Sequence, residues 1–202
     1  SSDVCSSDLL KKDLKVFRIT GGEPLLSKNT WQVLDNIQNE PVPHLHLSIN
    51  SNLGVPDKII DKLIGQLKIL FAHKCVSRVT LFTSIESVGS QAEYIRHGLN
   101  SEKFFNNVEK ILTELPEIRI NIMATFCALS IFNYHALVKK VIQIRRQLPE
   151  DQSLMRLGLS TNYLRFPEYL SAQILPSSVM PIMDEIYNEM KSHEFHIEKY
   201  KL

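Results

Sequence analysis

The sequence predicts an α/β protein in which five parallel strands, with helices on their outer side, form a partial TIM-like (β/α) barrel. Three observations support this fold class. Strand-like runs alternate with helical runs from Lys11 onward, no repeat or linker interrupts them, and polar and apolar residues alternate within the strands. Alternating strands and helices are typical of parallel βα units.

The predicted elements follow from the period of the apolar residues, which is two in strands and about 3.6 in helices. Strands are expected at about residues 15–20, 45–50, 78–85, 118–126 and 154–162. Helices are expected at about residues 28–39, 57–71, 101–114, 134–147 and 177–192, with a shorter helical piece over 91–97. Trp31, Phe104 and Phe105 are expected to pack on helix faces.

One side of each predicted strand is apolar and the other is polar. In the second strand Leu45, Leu47 and Ile49 alternate with polar neighbours. A half-solvated antiparallel sheet would alternate in the same way, but the intervening helices favour parallel strands. Burying unpaired polar groups costs roughly 1–3 kcal/mol each, so a ligand or water is expected to meet the polar side. Its residues are His46, Ser48, Asn50, Thr80, Ser84, Arg119, Asn121, Thr125, Arg156, Ser160 and Asn162.

Composition narrows the class of protein. The 202 residues carry a formal net charge of +1, which gives no basic surface for non-specific nucleic-acid binding. No run approaches the roughly 20 apolar residues of a membrane span and no signal peptide opens the chain, so a cytoplasmic location without a membrane partner is predicted. Cys5, Cys75 and Cys127 lie too far apart for a cluster or zinc motif; Cys75 and Cys127 are expected in the core.

The two ends of the chain require separate treatment. Residues 1–9 match the translation of a common sequencing-library adapter, and we interpret them as an artefact, which removes Cys5 as a ligand. Residues 10–192 are then the partial barrel and 193–202 a truncated tail. His193 and His196 have no third ligand in reach, so no metal site is predicted there.

The most informative motif follows the first strand, where Gly21, Gly22, Glu23 and Pro24 form a turn before an amphipathic helix. Two glycines allow the backbone to approach a ligand, and the proline stiffens the exit from the turn. Backbone carbonyls and the Glu23 carboxylate would accept hydrogen bonds from an ammonium group. Ligands of parallel α/β sheets bind at the carboxyl ends of the strands, where this turn lies.

With this motif the chain resembles the radical S-adenosylmethionine (radical SAM) superfamily, in which a Gly-Gly-Glu-Pro turn binds the amino group of SAM. Asn50, Ser51 and Asn52 end the next strand, where the family often has Thr-Asn-Gly. Residues 93–99 and 163–167 look like segments of the group with a C-terminal twitch domain. By resemblance, four further residues would contact SAM: Ser84 and Arg96 its carboxylate, Glu86 the ribose hydroxyls in place of the usual Asp, and Thr125 the adenine.

The resemblance implies a 4Fe-4S cluster, an electron donor such as flavodoxin or ferredoxin, and a 5′-deoxyadenosyl radical that abstracts hydrogen from a small-molecule or peptide substrate. The Cys-x-x-x-Cys-x-x-Cys loop that binds the cluster does not occur in this sequence. We therefore expect a fragment that lacks both this loop and the twitch domain and is inactive alone. Catalytic residues are not assigned.

Five cationic residues are candidates to meet an anionic or polar substrate: Arg18, His46, Arg119, Arg156 and Arg165. The pairs Lys139-Lys140 and Arg145-Arg146 are expected on a solvated helix surface. Two alternatives remain open. One is a non-redox (β/α) enzyme whose glycine turn holds a phosphorylated small molecule, although Glu23 would repel an anion. The other is a SAM-binding fragment without catalytic function.

Overall fold

A computed structural model describes residues 13–193. They contain one five-stranded sheet, and all of its neighbouring strands are parallel. The strands are β1 (Val16–Ile19), β2 (His46–Asn50), β3 (Arg78–Ser84), β4 (Arg119–Phe126) and β5 (Leu157–Tyr163). Their spatial order is the same as their order in the sequence.

Helices connect the strands. They are α1 (Lys28–Asn39), α2 (Asp57–Ala72), α3 (Gly89–Ile95), α4 (Ser101–Glu114), α5 (Ile131–Arg145), α6 (Glu150–Arg156) and α7 (Met180–Ser192). Short 3-10 turns cover Pro24–Leu26, Glu168–Leu170, Ala172–Ile174 and Ser177–Val179. Among the residues described, no helix combines the length and apolarity needed to cross a membrane.

The strand order explains why one face of the sheet carries the helices. Each strand lies beside the previous one without a reversal, and right-handed crossovers then place successive helices on the same face. The apolar residues of that face, such as Ile49, Leu81 and Ile120, are buried in the core. The opposite face, called here the open face, carries Arg18, His46, Ser48, Asn50, Thr80, Phe82, Ser84, Arg119, Asn121, Met123, Thr125, Gly158, Ser160 and Asn162.

The predicted fold class is confirmed, because five parallel strands alternate with helices and the polar residues share one face. The core predictions are also confirmed. Cys75 and Cys127 are buried, and Phe104 packs edge-on against Phe105 with ring centroids 5.1 Å apart. Trp31 packs against the core, and its indole nitrogen donates to a backbone carbonyl.

The predicted strand over 154–162 begins too early. Residues 150–156 form α6, and β5 starts at Leu157. Pro149 precedes α6 while Glu150 and Asp151 occupy its first turn, which is a standard helix start. The apolar residues before Leu157 therefore continue a helix rather than a strand.

Two arginines are placed differently from the prediction. Arg156 ends α6 instead of facing the open side of β5, and its buried guanidinium donates to the carbonyls of Leu112 and Leu115, the latter at 2.9 Å. Arg145 is also buried, and its Nε donates to the Leu157 carbonyl at 2.7 Å. Burial lowers the pKa of Arg145 to about 10. Arg156 therefore binds carbonyls at the end of α4, and Arg145 binds the carbonyl of the first residue of β5. The predictions that Arg156 faces a substrate and that Arg145 lies on a solvated helix surface are wrong.

Candidate functional site

The glycine turn lies at the carboxyl ends of the strands, a region called here the rim. Gly21 follows β1 with φ of 145°, a left-handed conformation that favours glycine. A Cβ built on Gly21 or Gly22 would meet no atom of the described residues within 4 Å, so the space beside both residues is open. Pro24 and Leu25 are buried in the following 3-10 turn. The buried Pro24 and Leu25 thus fix the position of the exposed glycine backbone.

Glu23 connects the turns that follow β1 and β2. One carboxylate oxygen accepts a hydrogen bond from the Leu25 amide at 3.1 Å, and the other accepts from the Asn52 amide at 2.8 Å. The carboxylate is therefore bound to two backbone donors of the protein. Its remaining lone pairs are the ones available to a ligand.

The three polar residues at the end of β2 organise a tight loop. Ser51 Oγ accepts from the Leu53 amide at 3.1 Å, and Asn52 Oδ1 accepts from the Gly54 amide at 2.8 Å. Leu53 has φ of 53°. Asn50 lies on the open face, and its Oδ1 is buried without a hydrogen bond to any described residue. Ser51 and Asn52 thus serve the backbone here, whereas the Asn50 oxygen is unpaired.

An ion pair joins the loop after β3 to the end of α3. Arg96 Nε and Nη2 each donate to a different oxygen of Glu86, both at 2.6 Å. Glu86 is only 4% exposed, whereas the Arg96 side chain is 36% exposed. Hydrogen bonding to Glu86 raises the pKa of Arg96. Both Glu86 oxygens therefore accept hydrogen bonds from Arg96. The Nη1 group of Arg96 does not take part in this pair and can donate to a ligand.

Ser84 and Thr125 share the rim of the open face. Ser84 ends β3 and is level with Met123, and Thr125 is two residues further along β4, level with Asn162. Because alternate residues of a strand point to the same side, all four side chains lie on one face. The predicted binding residues at the ends of β1 to β4 therefore lie along the rim.

A second group of predicted residues lies nearer the amino ends of the strands. Burial, followed by the positive charges of Arg78, Arg119 and Arg18, lowers the pKa of His46. His46 Nε2 and Thr80 Oγ1 share a hydrogen bond of 2.8 Å. Three of the five predicted substrate residues, Arg18, His46 and Arg119, are therefore close together.

Of the other two, Arg156 is in the core and Arg165 is exposed after β5. Sequence reasoning missed Arg78. It has the same parity as Thr80 and Ser84, so alternation along β3 would have placed it on the open face.

No three histidine, cysteine, aspartate or glutamate side chains in residues 13–193 are grouped to hold a metal ion. Cys75 precedes β3 and Cys127 follows β4, so Cys75 lies at the amino ends of the strands and Cys127 at their carboxyl ends. The described residues therefore do not fit a 4Fe-4S cluster, for which thiolates are the ligands. Cys5 and His196 lie outside the described residues.

Structural comparison relates this arrangement to solved proteins. SuiB from Streptococcus suis superimposes with a TM-score of 0.60 at 12% sequence identity, over 96% of this chain and 41% of SuiB. SuiB bound to S-adenosylmethionine superimposes with a TM-score of 0.56 at 12% identity, over 90% of this chain and 38% of SuiB. A domain of pyruvate-formate lyase-activating enzyme from Bacteroides vulgatus gives 0.54 at 13% identity, over 89% of this chain and 94% of that domain.

This chain shares the fold of both proteins, a partial (β/α) barrel of parallel strands with helices. The partial barrel spans about 41% of the length of SuiB. No protein-family model matches the sequence, and no curated protein matches it. At these identities the comparison establishes the fold of the barrel alone.

Proposed function

We propose that this chain is the SAM-binding barrel of a radical SAM enzyme. The observation that carries the proposal is the open glycine turn at the rim, beside the ends of the next three strands. Gly21 and Gly22 present backbone with free space beside it, in a fold that SuiB, solved with bound SAM, shares. An ammonium group would be recognised there by carbonyl oxygens and by Glu23.

The other rim residues extend the binding site along the edge. Arg96, fixed by Glu86, would meet the carboxylate of SAM together with Ser84, because guanidinium and hydroxyl groups donate to carboxylates. Residues 50–52 and Thr125 would contact the ribose and adenine of SAM. Glu86 is then a positioning residue that acts through Arg96, since both of its oxygens are already bonded. This modifies the role that the resemblance implies for Glu86.

SAM, when bound and reduced, supplies the radical that abstracts hydrogen in this class of reaction. Within this chain, the rim residues would hold SAM and exclude water, and they would not transfer the electron. The cluster and a reductant such as flavodoxin or ferredoxin would act through other parts of a longer, cytoplasmic protein. Residues 93–99 and 163–167 support the subgroup that carries a twitch domain, and the barrel alone would be inactive.

Calorimetry with SAM tests the proposal. Gly22→Val adds a side chain into the space beside the turn without strain, since Gly22 does not have a positive φ and no atom lies within 4 Å of its Cβ position. We expect this variant to keep its unfolding midpoint and to lose SAM binding. Gly65→Val, at an equally open position on α2, is the matched control and should bind SAM normally. Equal SAM affinity in wild type and Gly22→Val would contradict the proposal.

The alternative of a phosphate at the glycine turn is distinguished by the same titration. Glu23 places a carboxylate beside the turn, and a phosphate there would be repelled. Phosphate-ester binding that is lost in Gly22→Val, without any SAM binding, would favour the alternative enzyme. SAM binding without phosphate binding at the turn is the result that we expect.

A further inference from the structure

We propose that Arg18, His46 and Arg119 form an oxyanion-binding subsite on the open face, which receives a carboxylate or phosphate group of the substrate. Its assignment to the substrate rests on the proposed function, whereas its binding of an oxyanion does not. Arg78 lies at the outer end of the subsite.

Arg18 reaches across the middle of the open face. It belongs to β1, yet its guanidinium lies over the ring of Phe82 on β3, with 5.0 Å between the guanidinium carbon and the ring centroid. Because β2 lies between β1 and β3, the Arg18 side chain must cross β2 on this face. Stacking on an aromatic ring holds a guanidinium in place without neutralising it.

Arg119 faces Arg18 along one level of the sheet. The register places Arg18, Ser48, Thr80 and Arg119 side by side on four adjacent strands. With a spacing of about 4.8 Å between strands, the two arginine backbones are roughly 14 Å apart, a gap that two long side chains can close around a small ligand. Between them in the register lie only the two hydroxyl residues, and the side chain of Arg18 crosses over β2 toward Arg119.

The cations of the subsite have no acidic partner among residues 13–193. Arg18, Arg78 and Arg119 form no ion pair with any residue in the part of the chain that the structure describes. Burial of the imidazole, followed by the positive charges of Arg78, Arg119 and Arg18, lowers the pKa of His46, in keeping with their positions around this ring. Like charges that are brought together without a counter-ion repel each other, and a bound anion would remove this cost.

An unpaired hydroxyl marks the same level. Ser48 is completely buried between Arg18 and Thr80, and its Oγ makes no hydrogen bond to a described residue. A buried hydroxyl without a partner costs about 1–3 kcal/mol. Two guanidinium forks, an imidazole and a hydroxyl that can donate are the groups that recognise planar or tetrahedral oxyanions. The ligand class is therefore an anionic oxygen group of a small molecule or peptide.

The subsite adjoins the SAM site, because the Arg18 guanidinium over Phe82 is at the level of Asn50. Arg18 precedes Gly21 by three residues, which is about 10 Å along an extended chain. A substrate anchored by its anionic group at Arg18 would therefore extend toward the rim, where SAM is proposed to bind. Arg119 begins β4 and is farthest from the rim, so its substitution should remove the subsite and leave the SAM site intact.

Calorimetry of the full chain at low ionic strength tests the inference, with inorganic phosphate and succinate as separate probes. We expect at least one probe to bind, and its identity distinguishes a phosphate from a carboxylate group. Arg18→Gln and Arg119→Gln should each weaken the binding about tenfold or more, the loss of one charge-assisted contact. Arg146→Gln, at an exposed position after α5, is the matched control and should bind as the wild type does.

Failure of both probes to bind the wild-type chain, or equal losses in Arg146→Gln and Arg18→Gln, would overturn the inference. Unfolding midpoints show that the variants are folded, and Arg18→Lys, which keeps the charge without the fork, should give an intermediate affinity. SAM titrations separate the two proposals. Arg119→Gln should retain SAM binding, and Gly22→Val should retain oxyanion binding. Oxyanion binding without SAM binding in the wild type would leave the subsite in place and reject the proposed function.

Discussion

The carboxylate of Glu23 accepts a hydrogen bond from the backbone amide of Asn52 at 2.8 Å, although the two residues are 29 positions apart in the sequence. The same carboxylate holds the Leu25 amide. The acidic residue of the glycine turn therefore joins the ends of β1 and β2 before any ligand arrives. A rim that is fixed in this way can present backbone carbonyls without reorganisation, which favours binding.

Replacing Glu23 by Gln should loosen both the rim and the SAM site. Glutamine offers one acceptor oxygen to two amide donors, so one amide then faces an NH2 group. We expect faster hydrogen exchange at the Asn52 amide and about tenfold weaker SAM binding. Exchange measured by mass spectrometry and calorimetry provide the test, with the exposed Glu117→Gln as the control. Unchanged exchange at Asn52 would show that Glu23 does not hold this loop.

Gly158 on β5 should be intolerant of a side chain because Asn121 occupies the space beside it. A Cβ at Gly158 would lie 2.5 Å from Asn121 Oδ1, while the Asn121 amide exchanges hydrogen bonds with Ser160 at 3.0 and 3.2 Å. We expect Gly158→Ala to lower the free energy of unfolding by about 1–3 kcal/mol, since this pair must break or shift.

A double-mutant cycle checks the cause of that loss. In an Asn121→Ala background the added methyl group has room, so Gly158→Ala should then cost much less. Urea unfolding of the four proteins gives the coupling free energy. Equal costs in both backgrounds would assign the effect to the backbone of β5 and not to Asn121.

The ion pair of Arg96 and Glu86 should respond asymmetrically to mutation. Arg96→Ala leaves a carboxylate that is only 4% exposed without a partner, whereas Glu86→Gln leaves a guanidinium that water can reach. Unpaired buried charges are the costlier case, so we expect Arg96→Ala to destabilise the protein by about 2–3 kcal/mol and Glu86→Gln by less. Thermal and urea unfolding measure the difference. A larger loss in Glu86→Gln would show that Arg96, not Glu86, depends on the pair.

SAM affinity provides a second test of the pair formed by Arg96 and Glu86. If Glu86 positions Arg96, Glu86→Gln should weaken SAM binding only partially, and Arg96→Gln should weaken it more. Lys103→Gln, which removes a half-buried cation on α4 that pairs with Asp57, is the control. A stronger effect in Glu86→Gln would favour direct contact between Glu86 and SAM.

The sheet was predictable from sequence because its signals are local and repeat with a fixed period. Alternation placed His46, Ser48 and Asn50 on one face, and the intervening helices required parallel strands. The start of β5 was not predicted, since an apolar run before a strand is compatible with either element. Only the acidic first turn of α6 decided it.

The partners of charged side chains were less predictable than the sheet. Arg156 has the parity of a residue on the open face, but it belongs to a helix and binds carbonyls at the end of α4. The pairing of Glu86 with Arg96 depends on how far α3 turns back toward the sheet, and no local pattern encodes that distance. Sequence spacing therefore located the rim, and the tertiary contacts decided which rim residues are already engaged.

The titration of His46 should report the field of the arginines on the open face. Burial first, then the charges of Arg78, Arg119 and Arg18, lower the His46 pKa below its ordinary value of 6.5. The unfolded chain therefore binds a proton at higher pH than the folded protein does. The contribution of His46 to stability is fully present above about pH 6.5 and is lost as the pH falls through the folded pKa.

The NMR signal of the His46 ring, assigned from its loss in His46→Gln, should titrate with a midpoint below 6.5. Arg119→Gln removes one of the repelling charges, so the midpoint should rise toward 6.5. The loss of unfolding free energy between pH 7.5 and 5.5 should shrink in the same variant, because folded and unfolded pKa values then differ less. Arg146→Gln, remote from the open face, should leave the midpoint unchanged. A wild-type midpoint at or above 6.5, or no response to Arg119→Gln, would mean that the arginine charges do not converge on His46.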